Sequence, residues 1–256
     1  MAPAALDSER TAIERLREYE LEEARILQRA MVPLEPLCEP RFEVAHRFRP
    51  VVEVGGDFLD YFLLSDHTAG LYLGDVVGKG LPAALYAALA LGTLRGINKT
   101  GEAPDRVLGL LNKRLRMRLM PGRFCSLQYA VFDPQEGELR ISSAGMAGPL
   151  HISASGCTEM HAEGLPSGLF DAADYETIRL PLEPGDAVLF ATDGLTDALN
   201  AEGEEFGMQR LVEICSERRE EPASDLLETI FSEVDRFAGA HPQQDDMTAA
   251  VLKLPR

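Results

Sequence analysis

The 256-residue chain is 45% apolar and 26% charged, a globular balance that supports a sizeable buried core. Acidic residues outnumber basic ones by 42 to 25, and the formal charge of −17 sets the surface against nucleic acid and anionic membranes as partners. Four cysteines without a CxxC pair and five histidines without HExxH spacing argue against a zinc site, and the chain opens without a basic segment ahead of an apolar signal core, so a cytoplasmic location is expected.

Residues 8–31 are charged and helix-favouring, with Ile13, Leu16, Ala24, Leu27 and Met31 on one stripe, and Pro33 and Pro36 end the helix. The expected organisation is a helical arm and linker over residues 1–36 ahead of a single domain over 37–256. Such an arm either lies on its own domain or serves as a short dimerising or signal-relaying coil. From Phe42 the period changes to two: Phe42, Val44, His46 and Phe48 alternate with Glu43, Ala45, Arg47 and Arg49, which predicts a half-buried strand. Further strands are predicted at 58–64 and 70–77, then helices at 81–97 and 104–119 around a polar loop at 98–103. The Ala-rich run 81–94 falls short of the ~20 residues that span a bilayer and reads as a buried helix. The second helix starts on Pro104 and carries Leu108, Leu111, Leu115 and Leu119 on one face. Strand-like runs return at 124–132, 138–143, 149–152, 175–180 and 187–191, joined by short turns that favour antiparallel pairing. Helices at 207–219 and 223–238 and a strand at 247–254 complete a layered α+β pattern.

Four short segments place aspartates at strand ends or in glycine-rich turns: Val54-Gly55-Gly56-Asp57, Gly74-Asp75-Val76-Val77-Gly78-Lys79-Gly80, Thr192-Asp193-Gly194 and Gln244-Asp245-Asp246-Met247-Thr248. Glycine beside a carboxylate lets the backbone turn sharply and approach a bound group. A single Asp-Gly is ordinary turn chemistry. Several such carboxylates brought together would raise one another's pKa and call for divalent cations, and an all-oxygen donor set favours Mg²⁺ or Mn²⁺. The run 74–80 is not a P-loop: three residues separate Gly74 from Gly78 where four are needed, and Gly80 replaces the hydroxyl residue. An EF-hand spacing is absent too.

In this order and spacing the four segments resemble the protein phosphatase 2C-like (PPM) family, in its bacterial SpoIIE/RsbU branch. The resemblance runs from about Arg41 to the C-terminus and includes Gly80-Leu81-Pro82, Gly122-Arg123-Phe124, Ser143-Ala144-Gly145 and Gly164-Leu165-Pro166. Residues 22–33 look like the segment that precedes this domain in the branch, where it serves dimerisation and activation by a partner. The resemblance implies a PPM-type α-β-β-α sandwich, two antiparallel sheets flanked by helix pairs, with two ions at one edge. By motif position Asp75 bridges both ions, the Val76 backbone carbonyl ligates one, and Asp193 and Asp245 complete the other. Asp57 holds a metal directly or through water. Asp245 is preferred to Asp246 because the family's ligand opens this motif. The implied reaction is hydrolysis of a phosphoserine or phosphothreonine on a protein by metal-activated water, without a phosphoenzyme. The implied substrate is a phosphorylated STAS-type anti-sigma-factor antagonist.

Lys79 and Arg123 are candidates for phosphate contact, with solvated surface the plainer role. Two departures stand out. Met146 occupies a position where many relatives carry histidine, which predicts altered packing or substrate contact. Val76-Val77 lacks the histidine that eukaryotic relatives carry after the bridging aspartate. The alternative function is an inactive phosphatase fold acting as a regulatory binding module.

Overall fold

A computed structural model describes residues 3–64, 67–98, 102–117 and 120–256, and within the first helix the side chains from Ile13 onward. Its strands, numbered in chain order, form two sheets. One has the spatial order β1 (Leu37–Glu39), β2 (Phe42–Arg49), β11 (Met247–Lys253), β10 (Ala187–Ala191), β7 (Leu150–Ser153) and β8 (Gly156–Glu159). The other runs β3 (Phe58–Leu63), β4 (Ala69–Val76), β5 (Cys125–Asp133), β6 (Glu138–Ala144) and β9 (Ile178–Pro181). Every pairing within them is antiparallel.

Helices α2 (Gly80–Ile97) and α3 (Pro104–Arg116) cover the outer face of the five-stranded sheet, and α4 (Gly207–Glu217) and α5 (Ala223–Ala238) cover that of the six-stranded one. The α-β-β-α sandwich implied by the resemblance is the observed fold. Three apolar layers hold it. Phe42, Val44, Leu71, Phe132, Phe190 and Leu252 belong to the layer between the sheets, with Phe42 and Phe132 edge to face at 5.5 Å. The outer layers centre on Leu227, Ile230 and Val234 of α5, and on Leu94 of α2 with Leu108 and Leu111 of α3. At about 1.5–3 kcal/mol for each large side chain fully buried, these layers far outweigh the exposed ion pairs at ~0–1 kcal/mol each.

Several elements differ from the sequence-based expectation for local reasons. Strands β1 and β8 lie at the two ends of the six-stranded sheet and have 3 and 4 residues, too short to show a period. Tyr175 lies outside β9, in an isolated bridge with Gly164. Strand β2 is covered on both faces rather than half-buried: Ala45 packs into the α4–α5 layer, and the Arg47 and Arg49 guanidinium groups lie over the Phe231 ring while pairing with Glu228 and Asp235 of α5. Helix α2 is not buried throughout. It buries Ala83, Ala87, Ala90, Leu91 and Leu94 but leaves Leu81, Leu85 and Leu89 at 43%, 65% and 42% exposure. Gly80–Ile97 has the length and composition to cross a membrane, and here it packs on a sheet. Leu119 and residues 99–101 of the expected loop lie outside the described residues.

Helix α1 (Pro3–Met31) touches the domain through its last turns, where Met31 of the expected stripe packs against the α2–α3 layer. Gln28 is buried; its Nε2 donates to the Gly55 carbonyl at 2.7 Å and its Oε1 accepts the Gly55 N–H at 3.0 Å. Arg95 of α2 donates to the Met31 carbonyl. Ile13, Leu16, Tyr19 and Leu27 are each more than half exposed.

Ile230→Ala should lower unfolding free energy by about 2–5 kcal/mol, whereas Leu85→Ala on the open face of α2 should change it by no more than about 0.5 kcal/mol. Denaturant midpoints measure both, and comparable losses would contradict the assigned layers.

Candidate active site

Antiparallel neighbours place the exit of one strand beside the entry of the next, and this gathers the four aspartate segments at one edge of the sandwich. Asp75 lies at the exit of β4, while Asp57 immediately precedes β3, whose Phe58 pairs with Gly74. In the other sheet, β10 exits through Thr192 into a short 3-10 turn, Asp193–Leu195. Its partner β11 enters just after Asp245 and Asp246, with Ala191 opposite Ala249.

Hydrogen bonds between the two sheets fix this edge. Asp57 is 2% exposed, and its Oδ2 accepts both the Thr192 hydroxyl at 2.8 Å and the Thr248 hydroxyl at 2.5 Å. Asp246, 4% exposed, turns inward and accepts the backbone N–H groups of Val51 at 2.7 Å, Gly56 at 2.6 Å and Asp57 at 3.4 Å. Asp245 turns the other way, its side chain 45% exposed and its Oδ2 2.9 Å from Lys79 Nζ. Two glycines are required by close approach. A Cβ on Gly56 would lie 2.7 Å from the Val76 carbonyl oxygen and 3.3 Å from Asp75 Oδ1, and one on Gly194 would lie 1.9 Å from the Asp246 carbonyl oxygen.

The carboxylates act on one another. Burial, followed by the charges of Asp193, Asp245 and Asp246, raises Asp75 to about 7, against a hydrogen bond with Asp57 that lowers it. Burial and then the charge of Asp75 push Asp57 well above the ordinary carboxylate range, against the Thr248 and Thr192 hydroxyls. Asp193 is raised by burial, then by Asp197 and Asp245.

Among the described residues, no three His, Cys, Asp or Glu side chains form a finished ligand group as placed. Asp75, Asp193 and Asp245 are electrostatic neighbours rather than a closed shell. Their chemistry nevertheless fits hard divalent cations. The donors are oxygens, the Val76 carbonyl and Asp75 Oδ1 both border Gly56, and concentrated negative charge is the cost that bound cations offset.

Lys79 donates to the Gln244 carbonyl as well as pairing with Asp245. Arg123 Nη1 donates to the Val77 carbonyl at 2.7 Å and covers Gly78. Both cations therefore brace the 77–80 turn. Met146 packs against the core between the sheets and also lines a cleft of about 140 Å³ beside Asp75 and Asp193. Sequence reasoning gave no role to Thr192, Thr248 or Gln28. Both threonines sit inside the aspartate segments, so their proximity to candidate ligands was the available signal.

The family model described as Stage II sporulation protein E (SpoIIE) matches residues 65–255. "Phosphoserine phosphatase RsbU" of Bacillus subtilis (strain 168) is 25% identical over 240 residues, covering 91% of this chain and 70% of the relative. The chain spans 40% and 56% of the length of two further curated relatives. Among solved structures, the SiaA-PP2C domain of Pseudomonas aeruginosa superposes with a TM-score of 0.83 at 22% identity, covering 94% of this chain and 98% of that one. RsbX in complex with magnesium superposes with a TM-score of 0.63 at 14% identity, covering 86% and 98%.

The adjacent aspartates should separate cleanly in a stability measurement. Asp246→Ala strands three backbone N–H groups and should cost roughly 3 kcal/mol or more, whereas Asp245→Ala removes a half-exposed ion pair and should cost less than about 1 kcal/mol. Denaturant unfolding tests this, and equal losses would contradict the inward and outward assignment.

Proposed function

The chain belongs to the SpoIIE family of protein serine/threonine phosphatases, and from that premise we propose that it is a metal-dependent enzyme whose substrate is a phosphorylated STAS-type anti-sigma-factor antagonist in the cytoplasm. The observation that carries the proposal is the convergence of Asp57, Asp75, Asp193 and Asp245 from separate strand ends, with Asp75 raised by burial and then by its neighbours' charges. In this reading Asp75, the Val76 carbonyl, Asp193 and Asp245 hold two Mn²⁺ or Mg²⁺ ions, with Asp57 alongside. Magnesium in the RsbX structure supports the metal class.

Bound divalent cations would supply charge neutralisation for the phosphoryl group and ionise a solvent water near neutral pH. The chain's own groups do the positioning. Thr192 and Thr248 fix the rotation of the Asp57 carboxyl, and Asp246 fixes the backbone that carries it. Burial and then the charge of Asp75 hold Asp57 above its ordinary range, a repulsion that bound cations would offset. Lys79 holds Asp245 at the solvent side, where an anionic phosphoprotein would arrive. The exposed Ile13, Leu16, Tyr19 and Leu27 on α1 support a second copy or an activating protein as the arm's partner.

Hydrolysis of p-nitrophenyl phosphate with Mn²⁺ should fall at least about 100-fold in Asp75→Asn and in Asp193→Asn. Mn²⁺ at ~100 times its Kd should stabilise the native chain by about 2.7 kcal/mol and Asp75→Asn much less. Wild-type turnover in a folded Asp75→Asn would overturn the assignment.

A further inference from the structure

The cleft beside Asp75 and Asp193 has a chemistry that phosphate hydrolysis does not require. Its polar mouth carries those two aspartates with Ser126 and Thr196, while its walls are Met146, Ala147, Leu150, Leu189, Met208 and Leu211. The larger groove of about 370 Å³ between α4 and α5 contains none of the candidate carboxylates. We infer that the smaller cleft receives an apolar side chain of the protein substrate, adjacent in sequence to the phosphorylated residue, and that Met146 and Ala147 set the size accepted. The inference rests on the phosphatase reading and deepens it.

Position, size, chemistry and rigidity support this occupant. Consecutive residues lie about 3.8 Å apart, so a phosphorylated residue at the aspartates brings a neighbouring side chain to the mouth of the cleft. A volume of about 140 Å³ matches apolar cavities of roughly 150 Å³ that accept a benzene-sized group. The lining carries no cationic side chain, so an acidic neighbour would lose its hydration without gaining a partner, and beyond the two aspartates at the mouth the walls offer a basic one nothing charged. One wall is preformed. Ser143 Oγ donates to the Met146 carbonyl at 2.9 Å, buried Gln128 donates to the Ala147 carbonyl, and Gly148 lies so close to the Met160 carbonyl that a Cβ would overlap it at 1.4 Å. The Met146 and Met208 thioethers are unbranched and adapt to an irregular guest. Ala147 is exposed at the rim, so a larger residue there enters the cleft without disturbing the core.

The test uses the full chain with Mn²⁺ and phosphoserine peptides that differ only in carrying Gly, Leu or Phe immediately before or after the phosphoserine. Each peptide is scored by its own kcat/KM and by competition against p-nitrophenyl phosphate. The native chain should prefer Leu over Gly by about tenfold or more on one side, the discrimination a small apolar pocket gives. Ala147→Phe should bring that ratio to within about threefold of one, and Met146→Ala should move the optimum from Leu toward Phe. A ratio of one on both sides in the native chain overturns the pocket. So does a native ratio retained by both variants, and so do peptides that neither react nor compete while p-nitrophenyl phosphate is hydrolysed. No turnover of any phosphate ester overturns the phosphatase reading and the pocket together.

Discussion

The buried carboxylate of Asp246 is the tie on which the catalytic edge depends. It comes from the entry of β11 in one sheet and accepts three backbone N–H groups from the segment that leads into β3 of the other. Burying a carboxylate is expensive unless its charge is hydrogen-bonded, and charged hydrogen bonds are the strong ones, at ~1.5–3 kcal/mol each. The tie therefore cannot be exchanged for an apolar contact. It sets the backbone of Gly56 and Asp57, which brings Asp57 under the Thr192 and Thr248 hydroxyls, and it leaves Asp245 facing solvent.

The same edge is where folding energy is spent. The layers end there, at Phe58, Val76, Leu195 and Met247, and burial, then the like charges clustered at the edge, raise Asp75 to about 7 and Asp57 well above its ordinary range. Such clustering is unfavourable to the fold taken alone. Stability comes from the layers, and the layers hold the carboxylates in a geometry those groups would not choose. Gly56 and Gly194 serve that arrangement, because any side chain at either position would displace the Val76 carbonyl or the Asp245–Asp246 backbone.

The sandwich was legible in the sequence because strands of period two and helices with apolar stripes announce their faces, as Phe42 and Val44 in β2 and Leu226, Ile230 and Val234 in α5 do. The aspartate segments were legible because glycine marks the close approaches. What could not be read belongs to contacts between distant residues. Nothing about Glu228 or Asp235 in isolation says that they pair with arginines of β2, which is why that strand looked half-exposed. The adjacent Asp245 and Asp246 have the same chemistry and opposite directions, and only the register of β11 against β2 and β10 distinguishes them. Sequence spacing put Leu27 on the apolar stripe of α1. Besides Met31, the side chain that enters the domain is Gln28, whose partner is a backbone 27 residues away.

That contact places the arm and the last strand on one short segment. Gln28 grips the backbone of Gly55 while Asp246 grips Gly56 and Asp57, so the loop that carries Asp57 is held from opposite ends of the chain. The two holds are unequal. A neutral side-chain amide contributes ~0.5–1.5 kcal/mol per hydrogen bond, against the larger contribution of a charged acceptor. Asp246 therefore fixes where the loop sits, and α1 adds a weaker bias on its near side.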